Sequence, residues 1–146
     1  MSIWFAEPDL DALNELSRNT LMEHLGIEVL EVGDDYIKAS MPVDHRTHQV
    51  FGLLHGGASV ALAESLGSMG AYLCVDTGRY ACVGLEINAN HLRPVRQGEV
   101  IGVARPIRLG RTTHVWEIRI SNAKNHLICI SRLTLAVINS KSSGES

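Results

Sequence analysis

Gly56-Gly-Ala-Ser-Val-Ala-Leu-Ala-Glu64-Ser-Leu-Gly-Ser68-Met-Gly-Ala-Tyr72-Leu-Cys-Val75 runs for twenty residues with a single charge, Glu64. Its length alone would let it cross a bilayer, which takes about 20 predominantly apolar residues. Its composition argues otherwise. Six of the twenty are Val, Leu or Met, and Gly, Ala and Ser make up most of the rest. A charge at the centre costs about 2.5–3.5 kcal/mol on insertion scales, with little Leu or Ile to offset it. The segment therefore reads as one long buried helix. A helix with so little charge must be covered nearly all round. A sheet curled about one side and a second subunit on the other would cover it.

Upstream, Pro8 at a first-turn position, with Asp9 and Asp11 beside it, predicts a helix start. Leu10, Leu13 and Leu16 give that helix one apolar stripe. Thr20-Leu-Met-Glu23 reads as a capping box for a short second turn, closed by Gly26. Ile27–Glu31 and Tyr36–Met41 alternate around Gly33-Asp34-Asp35, which predicts a hairpin ended by Pro42. Asp44–Leu54 reads as a loop. Downstream, Ala81–Leu92, Glu99–Ile107, Thr113–Ser121 and Leu127–Asn139 read as strands. Pro94, Gly98, Gly110 and Asn122–Asn125 punctuate them. Consecutive strands without intervening helices predict an antiparallel sheet and an α+β fold. Residues 1–139 make one domain, and Ser140–Ser146 a polar tail.

The 146 residues suit a single core, which at this size needs no disulfide or metal. Apolar residues are 45% and charged residues 20%, ordinary for a globular chain. Thirteen basic against sixteen acidic side chains give a net charge of −3, which argues against a nucleic-acid binder. Cys74, Cys82 and Cys129 are odd in number and lack CxxC spacing, so buried thiols in a reducing compartment are expected. The first residues carry no basic segment followed by a long apolar one, so the cytoplasm is the expected location.

Glu64 is the strongest chemical signal. From Thr47 to Val75 it is the one acidic or basic side chain apart from histidine. A buried carboxylate without a partner is penalised, so something must hold or use it. Ser68 and Tyr72 share its helix face. His55-Gly56-Gly57 opens the helix. Free N–H groups there can bind a developing oxyanion, although a plain Gly-rich helix entry would look the same. His45, His48 and His55 match no zinc spacing, and no metal is expected. Leu66-Gly-Ser-Met-Gly70 lacks the first glycine of a nucleophile elbow and lies inside a helix. Arg93, Arg96, Arg105, Arg108 and Arg111 gather late in the chain. They fit either a phosphorylated small molecule or a charge-blunted strand edge.

Several of these pieces belong together. Met41-Pro-Val-Asp-His-Arg-Thr, Gln49-Val-Phe-Gly-Leu-Leu-His55-Gly-Gly-Ala-Ser, Leu62-Ala-Glu-Ser-Leu-Gly-Ser68 and Gly84-Leu-Glu-Ile-Asn-Ala-Asn-His91 resemble the hotdog-fold acyl-CoA thioesterases. The nearest subgroup is the bacterial one that contains 1,4-dihydroxy-2-naphthoyl-CoA hydrolases and enterobactin proofreading thioesterases. The resemblance runs from about Trp4 to Ile138. It implies an antiparallel sheet wrapped around a central helix, paired into dimers or tetramers with active sites at the dimer interface.

Residue by residue, the resemblance makes Glu64 the catalytic carboxylate, as nucleophile or general base. It gives Gly56 the oxyanion N–H, and His55 the polarising or positioning of the same group. Gln49 would orient water or thioester, and Ser68 would support the acid or touch the acyl group. Gly84, His91, Leu92, Arg93 and Pro94 would line the CoA path. Arg108, Leu109, Gly110, Arg111, Thr112 and Thr113 would hold the nucleotide. The implied substrate is an aromatic acyl-CoA, such as a 1,4-dihydroxy-2-naphthoyl or benzoyl thioester, or an acyl-carrier-protein equivalent. No cofactor, nucleic acid or membrane is implied. An enoyl-thioester hydratase and a non-catalytic acyl-CoA-binding module are the alternatives.

Overall fold

Two short helices, α1 (Leu10–Leu16) and α2 (Leu21–His24), precede a hairpin of β1 (Glu28–Val32) and β2 (Ile37–Val43). The long helix α3 (Gly56–Leu73) follows. Four strands then come in succession: β3 (Tyr80–His91), β4 (Gly98–Leu109), β5 (Thr113–Ser121) and β6 (Leu127–Asn139). The computed structural model describes residues 1–140. The expected tail beyond Ser140 lies outside the described residues. Ser140 itself is tied back, its N–H donating to the Arg79 carbonyl at 3.0 Å.

All six strands form one antiparallel sheet in the order β1-β2-β4-β5-β6-β3. α3 packs against β2 to β6, so one sheet wraps one helix, the hotdog arrangement. Leu62 and Leu66 of α3 are fully buried against Trp116, Ile118, Leu133 and Leu135 of the sheet. Small residues set the spacing. A Cβ at Gly67 would come within 2.6 Å of Leu133 Cδ2, and one at Gly70 within 2.6 Å of Trp116 Cη2. Trp116 stacks on Trp4 with ring centroids 6.4 Å apart, and Trp4 Nε1 donates to the Gly33 carbonyl. The N-terminal arm is thereby fastened over the core.

Three local expectations change. Pro42 does not end the hairpin; β2 continues to Val43, with Pro42 opposite Glu99. Pro42 lies past Ser40, the last residue of β2 with a β1 partner, so no β1 ladder bond is broken there. Pro106 lies inside β4, as the strand read over Glu99–Ile107 implies, past the end of β2 pairing and beside a register shift. Pro8 sits before the helix, and Asp9 is the N-cap that accepts from the Ala12 N–H. Of the α1 stripe, Leu13 is buried, while Leu10 and Leu16 are exposed. No helix among the described residues is long and apolar enough to cross a membrane.

Trp116 touches both α3 and the N-terminal arm. Trp116→Ala should cost about 3–5 kcal/mol of stability. The urea midpoint measures this, and an unchanged midpoint would remove Trp116 from the core's energetics.

Candidate active site

His55 enters α3 with extended backbone, and its Nδ1 accepts the Gly57 N–H at 2.7 Å. An accepting Nδ1 fixes the neutral tautomer with its proton on Nε2. The imidazole is thus a helix cap on one side and a donor on the other. The Gly56 N–H is one of the helix-start donors without an intrahelical partner, and no acceptor among the described residues takes it. His91 lies directly beside it: a Cβ at Gly56 would meet His91 Nε2 at 3.0 Å. Glycine here leaves room for the His91 ring against the helix start.

A cavity of about 340 Å³ opens at this helix start. Gln49, Gly56, Ser59, His91, Arg93 and Pro94 are among its lining residues. Gln49 Oε1 accepts from the N–H groups of Phe51 and Leu53, at 2.5 and 3.4 Å. Its amide NH₂ is left as a donor. The loop carrying Gln49 is fixed to the segment after β3: Leu54 N–H donates to the Val95 carbonyl, and His48 Nε2 lies 2.8 Å from the Arg96 carbonyl oxygen. Leu92 N–H in turn donates to the Ile128 carbonyl. Ile128 lines the cavity without any motif in the sequence that marks it, and Ser59 closes the His55-Gly-Gly-Ala-Ser stretch without having been assigned a role.

Glu64 stands two turns into α3, half-buried, with no hydrogen bond or ion pair to a described residue. Ser68 is four residues further on and Tyr72 eight, forming a partly open stripe opposite the buried face. β3 runs back beneath the helix. Cys82 Sγ lies 3.7 Å from the Ala71 carbonyl, Gly84 sits under Glu64, and His91 rests against Gly56.

The expected CoA residues do not form one site within a protomer. Gly56, Gln49, His91, Leu92, Arg93 and Pro94 gather at the start of α3. Leu109, Gly110 and Arg111 line a second cavity of about 480 Å³, with Cys74, Val75, Arg79 and His114, at the helix end. Eighteen helical residues separate the two by about 27 Å. Arg108 lies next to the end of β4, and its guanidinium folds over Gly110. The turn is closed by the Gly110 N–H donating to Thr113, and joined to β6 by the Val137 N–H donating to Thr112. Arg105 leaves the cluster altogether, with its guanidinium 4.7 Å above the Tyr36 ring.

Burial pushes all three thiols up, Cys74 to about 12, and none is in a disulfide. No group of three or more His, Cys, Asp or Glu side chains among the described residues is placed to hold a metal ion.

Residues 51–129 match the profile of the thioesterase superfamily. The chain is 51% identical over 136 residues to 1,4-dihydroxy-2-naphthoyl-CoA hydrolase of Escherichia coli, across 93% of this chain and 99% of that one. It is 54% identical over 136 residues to the proofreading thioesterase EntH of Cronobacter turicensis, across 93% and 98%. The solved structure of a mutant thioesterase from Pseudomonas aeruginosa superimposes with a TM-score of 0.93 at 59% identity. It covers 94% of this chain and 99% of that one.

His114 is the functional-looking residue that the sequence did not single out. It is 3% exposed, and its Nδ1 faces Trp116 Nε1 at 3.5 Å. Burial holds its pKa below the ordinary value. The unfolded chain therefore binds more protons than the folded one once pH falls below the ordinary histidine range of about 6.5. Stability should drop between about pH 7.5 and about pH 5.5, and His114→Gln should flatten that slope. Urea midpoints at both pH values check this; equal slopes would show that His114 stays outside the linkage.

Proposed function

Because the chain belongs to the thioesterase superfamily, we propose that it hydrolyses aromatic acyl-CoA thioesters. The observation that carries this reading is one unpaired carboxylate, Glu64, on the same helix as an open N-terminal N–H, Gly56. Glu64 takes a proton from water as the water oxygen attacks the thioester carbon. The carbonyl oxygen becomes an oxyanion that accepts from the Gly56 N–H. Collapse of the tetrahedral centre breaks the C–S bond and releases the CoA thiolate and the free acid. Direct attack by Glu64 would instead pass through an anhydride that water then opens. The His55 Nε2–H and the Gln49 NH₂ supply further donors at the helix start, and Ser68 lies toward the acyl side.

Two features support a site shared between subunits. β3 is an edge strand with Val83 and Leu85 exposed at 42% and 63%. An unpaired apolar edge invites a second strand. Antiparallel pairing of β3 with its copy sets the His91 end of one strand beside the Tyr80 end of the other. It brings the cavity at Gly56, Arg93 and Pro94 next to the partner subunit's Leu109–Thr113 turn. It also carries Glu64 toward the helix start of the facing subunit. A dimer, alone or doubled into a tetramer, is the functional unit in this reading. The protein works in the cytoplasm without a cofactor other than the CoA of its substrate, and an acyl-carrier protein presents the same arm.

Thiol release from 1,4-dihydroxy-2-naphthoyl-CoA, benzoyl-CoA, a medium-chain acyl-CoA and crotonyl-CoA tests the proposal. Aryl esters should turn over fastest, and Glu64→Ala should lower kcat by about 10²–10⁴-fold in a folded protein. Wild-type turnover by that variant would refute the assigned mechanism. Hydration of crotonyl-CoA without thiol release would point to the hydratase instead. Leu85→Glu should shift the oligomer toward monomer in sedimentation and reduce thiol release with it. A monomeric variant with full activity would sink the shared site.

A further inference from the structure

Gly84 faces α3 from the edge strand. A Cβ built there would lie 2.9 Å from Glu64 Oε1, and its next neighbour, Leu133 Cδ1, would be at 4.0 Å. The terminal carboxylate oxygen therefore occupies the space that any side chain at position 84 would claim. The backbone around it is prepared for this. Gly84 is opposite Leu135 on β6, whereas Glu86 is opposite Thr134, so Leu85 is an extra residue without a partner. Cross-strand partners share a sheet face. Leu133 and Leu135 are buried on the helix side, so Gly84 and Ile87 face α3 and Glu86 turns away. Glu86 is held outside by the Asn88 Nδ2, which donates to its carboxylate at 3.1 and 3.2 Å. Without the bulge, Gly84 and Glu86 would share one face, and a second carboxylate would point toward Glu64.

We infer that Gly84 is a positioning residue for the Glu64 carboxylate, its missing side chain and the adjacent bulge forming the seat that sets where Oε1 lies. This rests on the reading of Glu64 as the reacting acid. It differs from a role for Gly84 along the CoA arm, which would act on substrate binding. The atom in the way is the free end of a flexible side chain, so Gly84→Ala moves the carboxylate and leaves the packing intact.

The test is kinetics on Gly84→Ala, Glu64→Asp, the double variant and Glu64→Gln, with thermal unfolding of each. In Gly84→Ala, kcat for benzoyl-CoA should fall by about 10²-fold, the order expected for a misplacement near 1 Å. KM and the unfolding midpoint should stay close to wild type. Aspartate is one methylene shorter and does not reach the alanine methyl. In the Glu64→Asp background the same glycine replacement should therefore change kcat by less than about twofold, a non-additive cycle. A wild-type kcat in Gly84→Ala overturns the inference. So does a loss confined to KM, a multiplicative cycle, or a variant that fails to fold. Full turnover by Glu64→Gln would instead remove Glu64 from the chemistry, and that failure is read independently of Gly84.

Discussion

No side chain fits between α3 and the sheet at Gly67 or Gly70, and the rest of the architecture follows from that closeness. Leu133 and Trp116 fill the space where a methyl group would sit. From the sheet side, Gly102 of β4 gives the same clearance to Leu62 and Leu66. Interiors packed at this density transmit small displacements rather than absorb them. The height of α3 above β3 is therefore fixed, and with it the distance from Glu64 to Gly84 and from Gly56 to His91. The proposed chemistry depends on a fraction of an ångström and is carried by a contact without room for one methyl group.

The same packing leaves something uncovered. Val60, Glu64, Ser68 and Tyr72 recur every four residues on the side of α3 turned away from its buried face, where the sheet's edge strand β3 reaches Glu64 at Gly84, and Tyr72 is 45% exposed. β3, next to that face, ends the sheet without a neighbour. A protomer so built has an apolar edge, an unpaired acid and two half-sites at opposite ends of one helix. Each of these is unfavourable or idle alone, and the antiparallel strand pairing proposed above would address all three.

The fold was largely legible because hydrophobic periodicity and turn residues act locally. The long helix, the hairpin and the bounds of β5 and β6 follow from such signals. What escaped depends on neighbours distant in the chain. Pro42 looks like a strand breaker until pairing shows that a ladder runs along one side of it. Leu10 and Leu16 repeat with helical spacing, yet only Leu13 finds the core. Arg105 belongs by sequence to the arginine cluster, but β-sheet register hands it to Tyr36. The lone charge of Glu64 could be read from composition. Its seat could not, because a one-residue bulge at Leu85 brings Gly84 onto the helix face of a strand whose Glu86-Ile-Asn-Ala alternation would turn it away.

The inventory near Glu64 is sparse, and that sparseness fits a thioester better than an oxygen ester or an amide. An amine leaving group must be protonated as it departs, which calls for a general acid beside the base. A thiol ionises near pH 8.5, so a thiolate leaves without that help. In the proposed mechanism one base and the helix-start donors then suffice without a general acid. Glu64 is the one carboxylate on its face, Glu86 being turned outward by the bulge. Gly56 offers the donor, and the dipole of an eighteen-residue helix adds partial positive charge at that N–H. A second carboxylate beside Glu64 would repel its charge and favour a protonated pair, which cannot accept a proton from water. The bulge at Leu85 therefore does for the chemistry what the glycines do for the packing: it keeps a competing group out of a space that only one side chain can use.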